Sequence, residues 1–175
     1  MREIFLGLGS NCGECSRLLR DALVLLEERG VVAVAKSSIY ETEPVVGDWQ
    51  DSDRNPNGDT RQNFLNAVVE VETELSPREL LQVCMEVETL LGRVRHEKWG
   101  ARTMDIDLLL YGDQVVYQPP ELVVPHPLMQ ERNFVLVPFA EIAAEVVHPV
   151  LQQTIADVLR NSKDEHEIFA SRERW

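Results

Sequence analysis

Residues 93–111 read RVRHEKWGARTMDIDLLLY, and the second half of this stretch predicts the strand that decides the fold. Met104 to Tyr111 opens with apolar and acidic residues in alternation, and successive side chains of a strand point to opposite faces. Asp105 and Asp107 therefore point the same way, with their Cβ atoms about 6.5–7 Å apart at a rise of ~3.3 Å per residue. The opposite face carries the apolar residues that enter a core: Met104, Ile106, Leu108 and Leu110.

The two aspartates indicate a metal site. Asp is a poor strand residue, and two like charges on one face of a strand repel each other. A divalent cation would offset this repulsion, since hard cations such as Mg²⁺ bind carboxylate oxygens and recruit phosphate oxygens. The residues just upstream supply cationic donors suited to phosphate, namely Arg93, Arg95, Lys98 and Arg102. The combination points to phosphoryl or nucleotidyl transfer from a nucleoside triphosphate. The alternative is a solvated edge strand whose acids pair with the nearby arginines.

Composition bounds the class of protein. The chain has 175 residues, which is enough for one domain with its own core. Its formal net charge is −13. A general nucleic-acid binder would carry a basic footprint, so we expect no nucleic-acid partner. No apolar run approaches the ~20 residues of a membrane span, and the N-terminus lacks a signal-peptide pattern. We expect a cytoplasmic protein with no membrane partner, a single domain over residues 1–160 and a loose, charged C-terminal tail over 161–175.

The remaining elements predict the topology. A strand over Ile4–Leu8 precedes a helix whose leucines recur at helical spacing and which ends near Gly30. Val31–Tyr40 and Phe64–Thr73 predict two strands, and Ser76 begins a helix with a capping box. The order strand, helix, strand, strand, helix, strand predicts an α+β fold. It is ferredoxin-like, a split βαβ antiparallel sheet with helices packed on it.

Shorter segments give further predictions. We interpret Gly7 and Gly9 as a tight turn into the first helix, because Cys12 replaces the third glycine of a dinucleotide fingerprint. Gln114–Tyr117 is interpreted as the return strand of a hairpin that begins with the strand ending at Tyr111. Two short helices are predicted near the C-terminus, over Val135–Ile142 and Thr154–Leu159.

Three residues outside the central stretch are candidates with two interpretations each. Asn66 shares a face with Phe64, which suits a flat heterocycle but also fits a core Phe beside a strand-edge Asn. Glu88 is close to the cation cluster, although a solvated Glu is the ordinary interpretation. His126 lies between two prolines in a rigid loop, where it could contact a phosphate near neutral pH, although histidines without such a role are also common in loops.

Several motifs together resemble the hydroxymethyldihydropterin pyrophosphokinase family of folate biosynthesis. The most specific is Trp99-Gly100-Ala101-Arg102-Thr103-Met104-Asp105-Ile106-Asp107. The others are Gly9-Ser10-Asn11, Tyr40-Glu41-Thr42-Glu43-Pro44, Phe64-Leu65-Asn66-Ala67, Glu88, Gly92-Arg93-Val94-Arg95, Pro125-His126 and Arg132-Asn133-Phe134. The resemblance implies a pyrophosphokinase domain over residues 1–160 that transfers pyrophosphate from ATP to the hydroxymethyl group of 6-hydroxymethyl-7,8-dihydropterin. The products are AMP and the pterin diphosphate.

The resemblance also implies roles for individual residues. Catalytic roles fall to Asp105, Asp107, Arg95 and Arg102, and the two aspartates would hold two Mg²⁺ ions. ATP contacts fall to Glu88, Arg95, Lys98, Trp99, Arg102, Leu108, His126 and Arg132. Pterin contacts fall to Thr42, Pro44, Val45, Phe64, Asn66, Trp99, Asp105 and Phe134. The implied partners are small-molecule substrates, and we expect a monomer.

Two other functions are open at this point. A Mg²⁺-dependent nucleotidyltransferase is suggested by Gly9-Ser10 with Asp105-x-Asp107, although in that class the two elements lie close together in sequence. A non-catalytic ferredoxin-like binding module, such as an RNA reader, would need an aromatic strand signature and a basic surface that this chain lacks. Release of AMP, rather than of pyrophosphate, separates the pyrophosphokinase from the nucleotidyltransferase.

Overall fold

The computed structural model describes residues 3–10, 15–42, 64–93 and 104–175, apart from the side chains of Cys15 and Arg93. The strands are β1 (Ile4–Ser10), β2 (Val32–Lys36), β3 (Tyr40–Thr42), β4 (Phe64–Glu72), β5 (Met104–Tyr111), β6 (Val116–Gln118), β7 (Leu122–Val124) and β8 (Ile168–Ala170). The α-helices are α1 (Cys15–Glu27), α2 (Pro77–Arg93), α3 (Asn133–Ala143) and α4 (Ile155–Arg160). A 3₁₀ turn, Met129–Glu131, precedes α3. Among these helices, none is both long and apolar enough to span a membrane.

The main sheet confirms the predicted ferredoxin-like fold. Its strands run in the order β5-β1-β4-β3-β8, with β2 also paired to β4, and each described pairing is antiparallel. The first and last strands of the split βαβ pattern, β1 and β5, are thereby neighbours. The aspartates of β5 lie beside the glycines of β1, and β4 flanks the other side of β1. This order brings Asn66 of β4 and the two aspartates of β5 to either side of β1.

Two apolar cores enclose the sheet. The larger core packs α1 and α2 against one face and includes the buried residues of α2, which are Leu80, Cys84, Val87 and Leu91. The smaller core lies on the opposite face, beneath α3 and α4, where the rings of Phe5 and Phe139 pack with centroids 4.6 Å apart. Because α3 covers only part of this second face, the remainder is open to form a site.

The start of α2 confirms the predicted capping box. The Ser76 hydroxyl accepts a hydrogen bond from the Glu79 N–H at 3.2 Å, and the Glu79 carboxylate accepts one from the Ser76 N–H at 3.0 Å. Pro77 occupies the first helical position, where its missing N–H costs nothing. Two of the otherwise unpaired N–H groups at this helix end therefore have side-chain acceptors.

Two strand predictions need correction. The single strand predicted over Val31–Tyr40 is split into β2 and β3, because Ser37 exchanges two hydrogen bonds of 2.9 Å with the main chain of Val68, one through its hydroxyl. A register shift between Phe5 and Leu6 leaves β5 with an extra residue opposite β1. Leu110 consequently lies in the core under α3, not on the α2 face where strict alternation would put it.

The C-terminal half differs from the sequence predictions in two further places. The strand β6 does not return along β5 but pairs with β7 in a separate hairpin. The segment predicted as a loose tail over 161–175 contributes β8 to the sheet edge beside β3. Its last residue, Trp175, donates a hydrogen bond of 2.7 Å to the Ser37 carbonyl and packs against the larger core. The short helices α3 and α4 lie where they were predicted.

Candidate active site

The floor of the candidate site is the bare backbone of β1. Gly9 lies opposite Asn66 of β4 on one side and opposite Asp105 of β5 on the other, while Gly7 lies opposite Asp107. These glycines are therefore inside a strand, and the predicted tight turn is wrong. A Cβ atom at position 9 would lie only 3.3 Å from Asn66 Oδ1. The absence of side chains here leaves space between the carboxamide and the carboxylates.

A cavity of about 280 Å³ occupies that space. Its floor is the sheet around Gly7 and Gly9, and its wall is the beginning of α3. Five of the residues predicted to bind the pterin line it: Thr42, Phe64, Asn66, Asp105 and Phe134. Asp107 and Arg132, predicted for the metal and for ATP, line it as well. The fold thus gathers into one cavity side chains that are distant in sequence.

Asn66 is held rigidly at the apolar side of this cavity. Its Nδ2 donates a hydrogen bond of 3.0 Å to Thr42 Oγ1, and both residues are buried. The rings of Phe64 and Phe134 line the same cavity, as expected for a pocket that encloses a flat molecule. A fixed carboxamide in a cavity that aromatic rings also line can read the hydrogen-bonding edge of a planar heterocycle.

The opposite side of the cavity carries the carboxylates. Asp105 and Asp107 both face it, as predicted from their spacing. Partial burial and the neighbouring charge of Asp107 raise the pKa of Asp105 above its ordinary value. The described residues contain no group of three or more side chains able to hold a metal. Two carboxylates on one face, completed by water and phosphate oxygens, nevertheless fit the ligand set that Mg²⁺ prefers.

Glu88 supports the strand that carries these aspartates. Its Oε1 accepts a hydrogen bond of 2.7 Å from the N–H of Ile106, the residue between Asp105 and Asp107 on the edge strand β5. Burial raises the pKa of Glu88 to about 7, opposed by the Ile106 hydrogen bond and helped by the charges of the two aspartates. Glu88 is therefore half-buried and bonded, unlike the solvated Glu that its sequence context also allowed.

Glu88→Gln is expected to stabilise the metal-free protein at pH 8 but not near pH 4.5. The carboxamide keeps an acceptor for the Ile106 N–H and removes the charge. Because the pKa of Glu88 is about 7 in the folded chain and 4.5 ordinarily, the folded state binds more protons between these values. Wild-type stability should consequently fall as the pH rises through this range, by about 1–2 kcal/mol for a half-exposed group.

Urea unfolding at a series of pH values, in the presence of EDTA, measures this difference. Glu74→Gln, an exposed neutral replacement before α2, is the matched control and should match the wild type at each pH. A stability difference that does not change between pH 4.5 and pH 8 would contradict the assignment.

His126 does not line the cavity, but it lies close enough to Asp107 for the carboxylate charge to act on its ring, and its proton position is defined. Its Nδ1 accepts a hydrogen bond of 3.2 Å from the Leu128 N–H, so Nε2 carries the proton in the neutral ring. Burial lowers the pKa of His126, Asp107 opposes this shift and Arg132 adds to it. A neutral imidazole with Nε2–H can donate a hydrogen bond to an anion near neutral pH. Arg132 itself lies over the ring of Phe134, 5.5 Å from its centroid.

Some predicted site residues lie elsewhere. Leu108 is 5% exposed in the core beneath the helices, so it can approach a ligand only through its main chain. Six residues predicted to contact substrate lie outside the described residues: Pro44, Val45, Arg95, Lys98, Trp99 and Arg102.

Among the titratable side chains that line the cavity, His166 is the one that the sequence analysis missed. It lies in the segment predicted as a loose tail, and its position depends on the pairing of β8 with β3. No local sequence pattern around His166 indicates that pairing, because three strand residues are too few to show a period.

Comparisons of the sequence with known proteins point to one family. Residues 5–144 match the family model for 7,8-dihydro-6-hydroxymethylpterin-pyrophosphokinase. The chain is 46% identical over 150 residues to 2-amino-4-hydroxy-6-hydroxymethyldihydropteridine pyrophosphokinase of Methylorubrum extorquens, covering 84% of this chain and 86% of that one. The protein of the same name from Bacillus subtilis is 43% identical over 143 residues, covering 81% and 78%.

A solved structure shows the same fold. The HPPK-DHPS protein of Plasmodium falciparum superposes with a TM-score of 0.69 at 18% identity. The match covers 91% of this chain and 43% of the Plasmodium chain. At this identity the likeness concerns the fold alone.

Proposed function

Since this chain belongs to the 7,8-dihydro-6-hydroxymethylpterin-pyrophosphokinase family, we propose that its cavity holds the pterin at the Asn66 side and the ATP phosphates at the Asp107 side. The chain is an ATP-dependent diphosphotransferase of folate biosynthesis, which transfers pyrophosphate to hydroxymethyldihydropterin. The nucleotidyltransferase and the binding module are therefore set aside. The proposed division into a pterin side and a phosphate side rests on the residues that line the cavity. A carboxamide and aromatic rings lie on one side, and two carboxylates lie on the other.

The pterin side is built for a planar, hydrogen-bonding ring. Asn66, fixed by Thr42, would pair with the polar edge of the pterin, and Phe64 and Phe134 would pack near its faces. Gly9 leaves room for the ring beside the sheet. This orientation would direct the hydroxymethyl group toward Asp105 and Asp107, which is the approach that the transfer needs.

The phosphate side is built for negative charge. Arg132 lines the cavity and would donate hydrogen bonds to phosphate oxygens of ATP. His126, whose ring lies near Asp107, is proposed to donate another through Nε2–H. Arg95, Lys98, Trp99 and Arg102, which lie outside the described residues, are proposed to contact the triphosphate as the family resemblance implies. In phosphoryl-type transfer, positioning and charge stabilisation account for most of the acceleration. Either Asp107 is proposed to accept the proton of the substrate hydroxyl, or a bound metal ion would activate that hydroxyl directly.

Asp105 and Asp107 are proposed to hold Mg²⁺, two ions in all. Support comes from their shared face on the cavity and from the preference of Mg²⁺ for carboxylate and phosphate oxygens. Bound Mg²⁺ would neutralise charge on the transferring phosphates. We further propose that the enzyme acts as a cytoplasmic monomer, as we expect from the sequence.

Removal of divalent metal tests this assignment. EDTA should lower AMP formation from ATP and pterin by at least about 10³-fold, and added Mg²⁺ should restore it. Pterin omitted from the reaction is the control, and AMP should then not form. Full turnover in EDTA, with the metal content of the protein verified by elemental analysis, would contradict a role for Mg²⁺ at the two aspartates.

A further inference from the structure

The C-terminal segment, residues 161–175, forms part of the wall of the active-site cavity. At one end Asp164 binds the first residue of α3: its Oδ2 accepts a hydrogen bond of 2.8 Å from the Asn133 N–H. Its main-chain carbonyl accepts another, of 3.0 Å, from Asn133 Nδ2. At the other end Ile168 pairs with Thr42 in the sheet. His166 is therefore held between α3 and the end of β3. Asn133, which binds Asp164, precedes Phe134, and Ile168 pairs with Thr42; Phe134 and Thr42 are both predicted pterin contacts.

Asp164 orients the ring of His166. Its Oδ1 accepts a hydrogen bond of 3.0 Å from the His166 N–H and also contacts His166 Nδ1. The Asp164 side chain is 6% exposed, whereas that of His166 is 53% exposed. Burial opposes ionisation of Asp164, but the N–H groups of Asn133 and His166 outweigh it and lower its pKa. An ionised carboxylate can only accept, so Nδ1 carries the proton and Nε2 is an acceptor in the neutral ring.

A carboxylate that fixes a histidine tautomer is a recurring way to prepare the second ring nitrogen for a ligand. A purely structural histidine could be held in the same way, but it would not need to line the cavity. His166 lines it together with Thr42 and Phe134. The edge of a dihydropterin carries N–H groups, which an acceptor such as Nε2 can recognise.

We propose that His166 is a further substrate-binding residue, whose Nε2 accepts a hydrogen bond from an N–H group of the bound pterin. Asp164 is a positioning residue, because it acts on the substrate only through His166. This inference rests on the proposed division of the cavity. It assigns a binding role to the C-terminal segment, which lies beyond the residues matched by the family model.

His166→Ala is expected to weaken pterin binding about five- to tenfold, the effect of losing one hydrogen bond in a partly open site. The dissociation constant is measured by pterin fluorescence in the presence of Mg²⁺ and a non-hydrolysable ATP analogue. Steady-state kinetics should show a matching rise in KM for pterin, with KM for ATP within about twofold of the wild type. Glu167→Ala, an exposed replacement in the same segment, is the control and should bind pterin normally.

A second variant separates the loss of the hydrogen bond from misfolding. His166→Phe keeps a ring of similar size and lacks both nitrogens, so it should weaken pterin binding to the same extent while thermal unfolding stays close to that of the wild type. Unchanged pterin affinity in both variants would overturn the proposal, as would a loss confined to KM for ATP. A wild-type enzyme that forms no AMP would instead overturn the proposed function, so the two failures are distinguishable.

Discussion

Asp107→Asn should lower kcat by about 10³-fold, the largest effect expected from a single substitution in this site. The substitution keeps the size of the side chain but removes its charge and replaces one accepting oxygen by a donating NH2 group. Asp107 faces the cavity from β5 beside Asp105, where it would bind Mg²⁺ and lie close to the substrate hydroxyl. The loss therefore combines weaker metal binding with the loss of a proton acceptor. AMP release at saturating ATP and pterin measures it.

The control for this substitution lies just beyond the same strand. Asp113→Asn changes an exposed carboxylate in the turn after β5 and should leave kcat unchanged. In EDTA, Asp107→Asn should be at least as stable as the wild type, because it relieves the repulsion that contributes to the raised pKa of Asp105. Turnover within about threefold of the wild type would contradict a catalytic role for Asp107.

Asn66→Ala should lower kcat/KM for pterin by about 100-fold. Asn66 is 7% exposed, and its carboxamide is fixed by Thr42, so a bound ring would lose a preorganised donor and acceptor together. The loss should appear chiefly as a higher KM, because ring-edge contacts are the same in the ground state and the transition state. Initial rates over a range of pterin concentrations, at saturating ATP, give the value.

Two control measurements show whether the effect of Asn66→Ala is specific to pterin binding. Gln82→Ala, which removes an exposed carboxamide from α2, should leave kcat/KM for pterin unchanged. In Asn66→Ala itself, the KM for ATP should stay close to the wild-type value. If KM for ATP rose as much as KM for pterin, Asn66 would be acting on the whole cavity through the sheet, and the proposed division of the site would be wrong.

The parts of the fold that sequence predicts well depend on short-range periodicity. Asp105 and Asp107 face one cavity because strand side chains alternate, and this requires no knowledge of the neighbouring strands. The capping box at Ser76 is predictable for a similar reason, since its two hydrogen bonds join residues three positions apart. The resemblance to a family then assigned roles to Asn66 and His126 that their local patterns left open.

The parts that sequence did not predict depend on register and on distant pairing. Gly7 and Gly9 resemble turn residues until the neighbouring strands place Asn66 and Asp105 on either side of Gly9. Three-residue β8 has no readable period, and its pairing with β3 joins segments far apart in the chain. His166 could not be recognised as a cavity residue without that pairing.

The measurement that tests the account most directly is the fate of the α-phosphate during turnover. The protein is incubated with ATP labelled with ³²P at the α-phosphorus, Mg²⁺ and 6-hydroxymethyl-7,8-dihydropterin, and the products are separated by chromatography. Transfer of pyrophosphate predicts that all of the label appears in AMP while unlabelled pterin diphosphate accumulates at an equal rate. Label on the pterin, with release of pyrophosphate, would contradict the assigned reaction and favour nucleotidyl transfer.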